Sequence, residues 1–158
     1  MPNIVSAQIG DVAPTFSLPT GDGQMANVPD LNGRNVVLYF YPRDDTPGCT
    51  TEAQDFSAAA EQFAALNTVV IGVSKDSIAK HGKFSTKHGL TVTLASDEES
   101  DVCERYGVWQ EKNMYGRKFM GIVRATLLID DQGVIRHTWP KVKVKGHVDA
   151  VLAEVASL

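Results

Sequence analysis

Residues 39–56 read YFYPRDDTPGCTTEAQDF, and the fold is decided by how they are read. Asn35 to Tyr41 (NVVLYFY) is a continuous apolar run that stops at Pro42. A run of this kind, bounded by turn residues, predicts a strand covered on both faces. A polar turn follows, and Thr46-Pro47-Gly48-Cys49 then opens a helix. Thr46 suits the N-cap, Pro47 suits the first helical position, and Cys49 falls third. A cysteine there meets free backbone N–H groups and the positive end of the helix dipole, both of which favour a thiolate. Cys49 is therefore the candidate reactive group. The alternative, a small buried hydrophobe, sits poorly in an Asp-Asp-Thr-Pro-Gly turn.

From Cys49 to about Leu66, Ala53, Phe56, Ala60, Phe63 and Ala64 recur at helical spacing. Thr68 to Val73 (TVVIGV) is a second buried strand. Asp76-Ser77 caps a helix with Ile78, His81 and Phe84 on one stripe, closing near Gly89. Strand, helix, strand and helix in this order predict a parallel βαβ unit. Residues 1–34 are rich in turn signals, with room for a short hairpin or edge strand at Phe16 and Leu18. Leu94 and Ala95 make a weak strand, and Ser100 to Tyr106 a short helix holding Val102 and Cys103. Tyr115-Gly116-Arg117 is a turn. Ala125 to Ile129 and Val134 to Trp139 flank Asp130-Asp131-Gln132-Gly133 as an antiparallel hairpin. A terminal helix from His147 to Leu158 carries Val148, Val151, Leu152 and Val155 on one face. The expected class is α/β with the thioredoxin-like arrangement: a central mixed sheet flanked by helices, an N-terminal hairpin extension and an insertion between the halves. Residues 1–158 are expected to form a single domain, since the chain shows no repeat, linker or low-complexity segment.

Composition narrows the partners. The 158 residues are 43% apolar and 22% charged, with a formal net charge of -4. That balance argues against nucleic acid or an acidic membrane surface. No apolar run reaches the length of a membrane span, and MPNIVSAQIGDVAPTF lacks a basic segment followed by an apolar core, so no signal peptide is expected. A cytoplasmic location follows as the default. Two cysteines in such a chain point to catalysis or redox sensing rather than a disulfide scaffold.

A free cysteine thiol is only a few per cent ionised at neutral pH, and lowering a pKa by about two units takes roughly 2.7 kcal/mol. A helix terminus supplies about 0.3–1 kcal/mol, roughly 2 at best. Asp44 and Asp45 would oppose ionisation if they pointed inward, so a nearby cation is expected. Arg43 sits in an exposed turn. Arg124, at the start of RATLLI, is the better candidate, because an arginine among apolar neighbours is seldom buried unpaired. Spacing alone leaves it equally a strand-end residue reaching solvent.

Pro42-x-x-x-Thr46-x-x-Cys49 resembles the P-x-x-x-[T/S]-x-x-C signature of peroxiredoxins. YFYPRDDTPGCTTEA, together with SDEESDVCERYGVWQEKNMYGRKFMGIVRATLLID, is similar to the bacterioferritin comigratory protein branch, also called PrxQ. The resemblance covers nearly the whole chain. It implies a thiol peroxidase acting on hydrogen peroxide and organic hydroperoxides, without metal or bound cofactor. Cys49 matches the peroxidatic cysteine, Thr46 and Pro42 the pocket positions before it, and Arg124 the arginine of the second motif. The Thr46 hydroxyl, Arg124 and the backbone N–H groups at Gly48 and Cys49 are the expected donors to the peroxide, and Pro42 would shape the turn and shield the sulfur. Glu52 matches a frequent family position that orients the arginine. The resemblance also implies a monomer or weak homodimer.

Val123 and Leu127 depart from the branch, which often has Glu and Phe there. The resolving cysteine is missing from its two usual places, where this chain has Gln54 and, near Phe84, Ser85 and Thr86. Cys103 remains. We favour its packing in the core of a short helix; the alternative is an unusual resolving thiol. With Cys103 inert, the enzyme is of one-cysteine type, and an external thiol (thioredoxin, glutaredoxin or glutathione) regenerates it. A redox sensor using Cys49 without turnover is the competing reading. His81, His88, His137 and His147 lack metal-ligand spacing and read as surface or packing residues. KVKVKG (141–146) reads as a solvated strand edge.

Overall fold

The computed structural model describes residues 8–158, so the reading of the first seven residues as free of a leader lies outside the described residues. The apolar run forms strand β3 (Asn35–Phe40), whose side chains alternate between the two faces of the sheet it centres. Around it the chain forms β1 (Phe16–Pro19), β2 (Met25–Val28), α1 (Pro47–Ala58), α2 (Ala60–Ala65), β4 (Thr68–Ser74), α3 (Ile78–His88) and β5 (Thr93–Ser96). The second half adds α4 (Val102–Arg105), β6 (Trp109–Met114), β7 (Arg117–Ile122), β8 (Ala125–Ile129), β9 (Ile135–Trp139) and α5 (His147–Ala156).

The central sheet has the order β5-β4-β3-β8-β9. β3 and β4, and β4 and β5, pair in parallel; β8 runs antiparallel to β3 and to β9. The sheet is therefore mixed, as expected, and the βαβ unit precedes the ββα unit. Val36, Leu38 and Phe40 face one core with the β1–β2 hairpin, Val102, Cys103 and Tyr106. Val37, Tyr39 and Tyr41 face the other, with Cys49, Phe56, Phe63, Phe84 and Val151 from the helices. The N-terminal hairpin is tied to the sheet's two margins by bridges from Val12 to Val134 and from Thr20 to Ala95.

Three expectations are corrected, and a fourth, the turn at Tyr115-Gly116, is found where expected. The helix expected from Cys49 to Leu66 breaks at Ala59, whose φ of −96° and ψ of 6° separate α1 from α2. No glycine or proline marks the break; α2 lies along β4 while both helices pack on α5, and that tertiary demand sets the bend. KVKVKG is not a strand: β9 stops before Pro140, and the Val142 N–H bonds the Arg124 carbonyl at 3.0 Å. Ile78 is exposed rather than on the buried stripe with His81 and Phe84. The turn at Tyr115-Gly116 belongs to a two-stranded arm, β6–β7, which is the insertion itself. Both turn residues have positive φ (54° and 78°), the geometry of a tight two-residue hairpin turn. The arm's strands are largely exposed, and so carry little of the apolar alternation that marks a strand.

Candidate active site

Chain direction and register build the site together. β3 delivers the chain to Tyr41, and the turn from Pro42 to Asp45 leads into α1 with Thr46 at the N-cap and Pro47 at the first helical position. Cys49 thus occupies the third position, as expected. Thr46 does not cap through its side chain, however: its hydroxyl donates to the Arg43 carbonyl at 3.0 Å. The antiparallel pairing of Phe40 with Ala125 brings the start of β8 to the same end of β3. Arg124, one residue earlier, therefore arrives beside the first turn of α1.

The contacts are specific. Arg124 Nη2 donates to Cys49 Sγ at 3.3 Å, and Nη1 donates to Glu52 Oε1 at 2.6 Å. Glu52 stands one turn along α1 from Cys49, so one helix face presents both to the planar guanidinium. Cys49 is 1% exposed, Glu52 0%, and the Arg124 side chain 18%. The sulfur lies below the surface, at the edge of the core on that face of the sheet and in contact with the Arg124 guanidinium; Pro42, Thr46, Gly48 and Arg124 are each half-buried. Gly48 has a steric role that the sequence did not reveal: a Cβ there would come within 3.1 Å of Arg124 Nη2.

Burial pushes the Glu52 carboxyl up to about 7, against the opposing pull of Arg124. For Arg124, burial opposes the charge, but Glu52 and Cys49 more than offset it and hold the guanidinium above its ordinary value. Glu52 Oε2 and the Tyr39 hydroxyl are buried without hydrogen-bond partners.

The two aspartates of the turn do not bear freely on the sulfur. Asp44 accepts from the Tyr41 hydroxyl at 2.6 Å and pairs with His81 Nδ1 at 2.7 Å, while His81 Nε2 meets the Ala95 carbonyl at 2.9 Å. Asp45 pairs with Lys87 and His88 at 2.7 and 2.8 Å. His81 is thus a buried structural residue that locks the turn to α3, a role its isolated place in the sequence could not display. Arg43 is exposed, as expected.

Cys103 is far from this chemistry. It is fully buried in the core on the opposite face of the sheet from Cys49, its backbone N–H bonds Asp97 at 2.8 Å, and burial pushes its thiol far up. Among the described residues, no group of three or more His, Cys, Asp and Glu side chains is placed to hold a metal ion. No described helix is long and apolar enough to cross a membrane.

The AhpC/TSA family matches residues 9–138. The chain is 50% identical over 151 residues to a putative peroxiredoxin Bcp of Coxiella burnetii, covering 96% of this chain and 100% of that one. The chain belongs to the peroxiredoxin family. Within it the resemblance is to the bacterioferritin comigratory protein branch: peroxiredoxin Bcp of Bacillus subtilis is 47% identical over 148 residues, covering 94% of each chain. The solved bacterioferritin comigratory protein of Xanthomonas campestris, studied for its alkyl peroxide reduction, superposes with a TM-score of 0.86 at 38% identity. That match covers 97% of this chain and 98% of the other. The PrxQ of Xylella fastidiosa gives a TM-score of 0.88 at 36% identity over 96% of each chain. These peroxiredoxins share the α/β fold described above, with its helices on both sides of a mixed sheet.

Proposed function

We propose that this chain is a thiol peroxidase that reduces hydrogen peroxide and organic hydroperoxides through Cys49. The observation that carries the reading is the Arg124–Cys49 contact, with Glu52 fixing the guanidinium from behind. The Cys49 thiolate attacks one peroxide oxygen; the S–O bond forms as the O–O bond breaks, and the other oxygen leaves as water or an alcohol after taking a proton. Charge moves along the S–O–O axis, and donors already fixed around it stabilise the transition state without reorganising. Arg124 Nη2 and the free N–H groups of Gly48 and Cys49 are those donors; Pro42 and Thr46 shape the turn that leads into the helix start. The alkyl peroxide reduction of the Xanthomonas relative supports extending the substrates to organic hydroperoxides.

Cys49 is left as a sulfenic acid. An external thiol (thioredoxin, glutaredoxin or glutathione) condenses with it, releasing water and giving a mixed disulfide that a second thiol reduces. The burial of Cys103 on the opposite face supports a one-cysteine cycle. We take residues 1–158 as one catalytic domain, working as a monomer or weak homodimer in the cytoplasm.

Replacing Cys49 by Ser is expected to abolish peroxide consumption with a thiol reductant; substantial residual turnover refutes the assignment. A wild-type protein that reacts once and then stalls would point to a sensor instead. Mass spectrometry after one equivalent of peroxide, without reductant, tests the cycle. Sulfenic acid on Cys49 with Cys103 free is expected, and a Cys49–Cys103 linkage would overturn the one-cysteine reading.

A further inference from the structure

KVKVKG belongs to no strand, so its lysines guard no sheet edge. The segment is pinned to β8 at two points. The Val142 N–H bonds the Arg124 carbonyl at 3.0 Å, and His147, the first residue of α5, meets the Thr126 hydroxyl through Nε2 at 2.8 Å. Along it Val142 and Val144 are half-buried, while Lys141, Lys143 and Lys145 are exposed. Three exposed cations are thus carried by a segment hydrogen-bonded to the backbone of the residue that contacts Cys49.

Other cations are matched. Arg34, Lys75, Lys80, Lys87, Arg105 and Arg136 each lie within 3.4 Å of a carboxylate. Among the described residues no carboxylate meets Lys141, Lys143 or Lys145. The same holds for Arg43, in the turn before Cys49, and for Lys112, Arg117 and Lys118 of the β6–β7 arm, whose second strand ends two residues before Arg124. Outside these three segments, Lys83 alone of the described lysines and arginines is unmatched. Asp44 and Asp45 are engaged by α3, which leaves Glu111 as the one described carboxylate of the three segments without a basic partner. In a chain of net charge -4, the unmatched positive charge is concentrated where the chain runs to and from Cys49 and Arg124.

The extent of that charge points to the size of the partner. Lys141 to Lys145 span up to about 14 Å of extended chain, and Arg117 stands about 17 Å along β7 from its end. A tripeptide such as glutathione reaches only about 10 Å. A protein face covers the larger spread, and unmatched cations favour an acidic one, chiefly by speeding encounter.

We propose that Lys141, Lys143 and Lys145, with Arg43 and the cations of the arm, form the docking surface for a protein reductant whose thiol is set in an acidic face. The inference rests on the peroxidase reading of Cys49 and narrows its external thiol to a protein. Ten-residue peptides with one cysteine flanked by Glu or by Ser serve as probes, beside glutathione. Each condenses with the Cys49 sulfenic acid, forming an S–S bond as the S–O bond breaks and water leaves, and mass spectrometry of quenched samples reads the rate. The Glu-to-Ser rate ratio is compared between wild type and Lys141→Gln/Lys143→Gln/Lys145→Gln, which cancels differences between the peptide thiols themselves. At low salt the ratio is expected to fall about three- to tenfold in the variant, and high salt should abolish the difference. The glutathione-to-Ser ratio should move less than about twofold. An unchanged Glu-to-Ser ratio in the variant, shown to be folded by circular dichroism, overturns the inference. So does an equal fall for glutathione, which would mark a site for small anions. Loss of binding to duplex DNA or phosphatidylglycerol vesicles while the peptide ratio holds would assign the cations to a polyanion and overturn it too. The same peptides, as mixed disulfides with thionitrobenzoate, test docking without peroxide: the Cys49 thiolate attacks the peptide sulfur and thionitrobenzoate leaves as its coloured thiolate. A wild type that ignores peroxide yet shows the lysine-dependent ratio there overturns the peroxidase reading and leaves the docking surface standing.

Discussion

Replacing Arg124 by Met removes the one cation that, among the described residues, is in hydrogen-bond contact with the reacting sulfur, while keeping an unbranched stem of similar bulk. The lost contact is an N–H to Sγ bond at 3.3 Å, in a site where Cys49 is almost fully shielded from water. Hydrogen bonds to charged groups contribute about 1.5–3 kcal/mol, so the second-order rate with hydrogen peroxide should fall roughly ten- to hundredfold. Stability should fall as well, because Glu52 loses the partner that holds its carboxylate at 2.6 Å inside the protein. Without Arg124 to lower its pKa, Glu52 keeps its proton at neutral pH, and the penalty is that of a neutral carboxyl with too few partners, about 1–3 kcal/mol. The two effects separate in the double variant Arg124→Met/Glu52→Met, which removes the unpartnered carboxyl altogether. There the stability loss, read by urea unfolding, should shrink while the rate, read by stopped-flow mixing of reduced protein with peroxide, stays low. If Arg124→Met reacts within about twofold of wild type, the guanidinium does not stabilise the reacting thiolate. If the double variant regains rate along with stability, Arg124 is a structural residue and the electrostatic argument fails.

Glu52 gives a pH-dependent test. Its folded value of about 7 lies above the ordinary carboxylate value of about 4.3, so between these the folded state holds a proton that the unfolded state has released. Its contribution to stability therefore declines as pH rises through that window and levels off above it, by at most about 3–4 kcal/mol. Glu52→Gln should lack this decline, so its stability relative to wild type should improve between about pH 5 and pH 8; parallel profiles in urea unfolding would contradict the burial argument. Gly72 tests the packing beneath the site. A Cβ there would sit 2.6 Å from Tyr39 Cζ, and the ring is already stacked on Phe56 at 4.7 Å, so it has no room to yield. Gly72→Ala should cost about 1–3 kcal/mol in chemical unfolding, and a neutral result would mean the ring is freer than this packing implies.

Local chemistry made half of the site legible in the sequence. The apolar run of β3, the Thr46-Pro47 helix start and the third-position Cys49 are each set by neighbours within a few residues. Capping sites, proline geometry and strand burial act at that range. The terminal helix and the β8–β9 hairpin were legible for the same reason. Where local signals are silent, expectation and structure part. Nothing in the alanine-rich stretch around Ala59 encodes the α1–α2 break, and KVKVKG alternates like a strand but pairs with no strand among the described residues. Thr46 has the residue type of a side-chain cap, yet its hydroxyl turns to the Arg43 carbonyl.

By itself, then, the sequence determined that a thiol stands at a helix start after a buried strand, in a chain of peroxiredoxin pattern. Whether Arg124 reaches that thiol or points to solvent could not be read from spacing, because the two residues lie 75 positions apart. The pairing of Phe40 with Ala125 decided it, since a one-residue slip would have turned every side chain of β8 to the other face. The packing of the two faces put Cys103 on the far side of the sheet. Electrostatic contacts depend on distances in space, and only the register of the sheet fixes those.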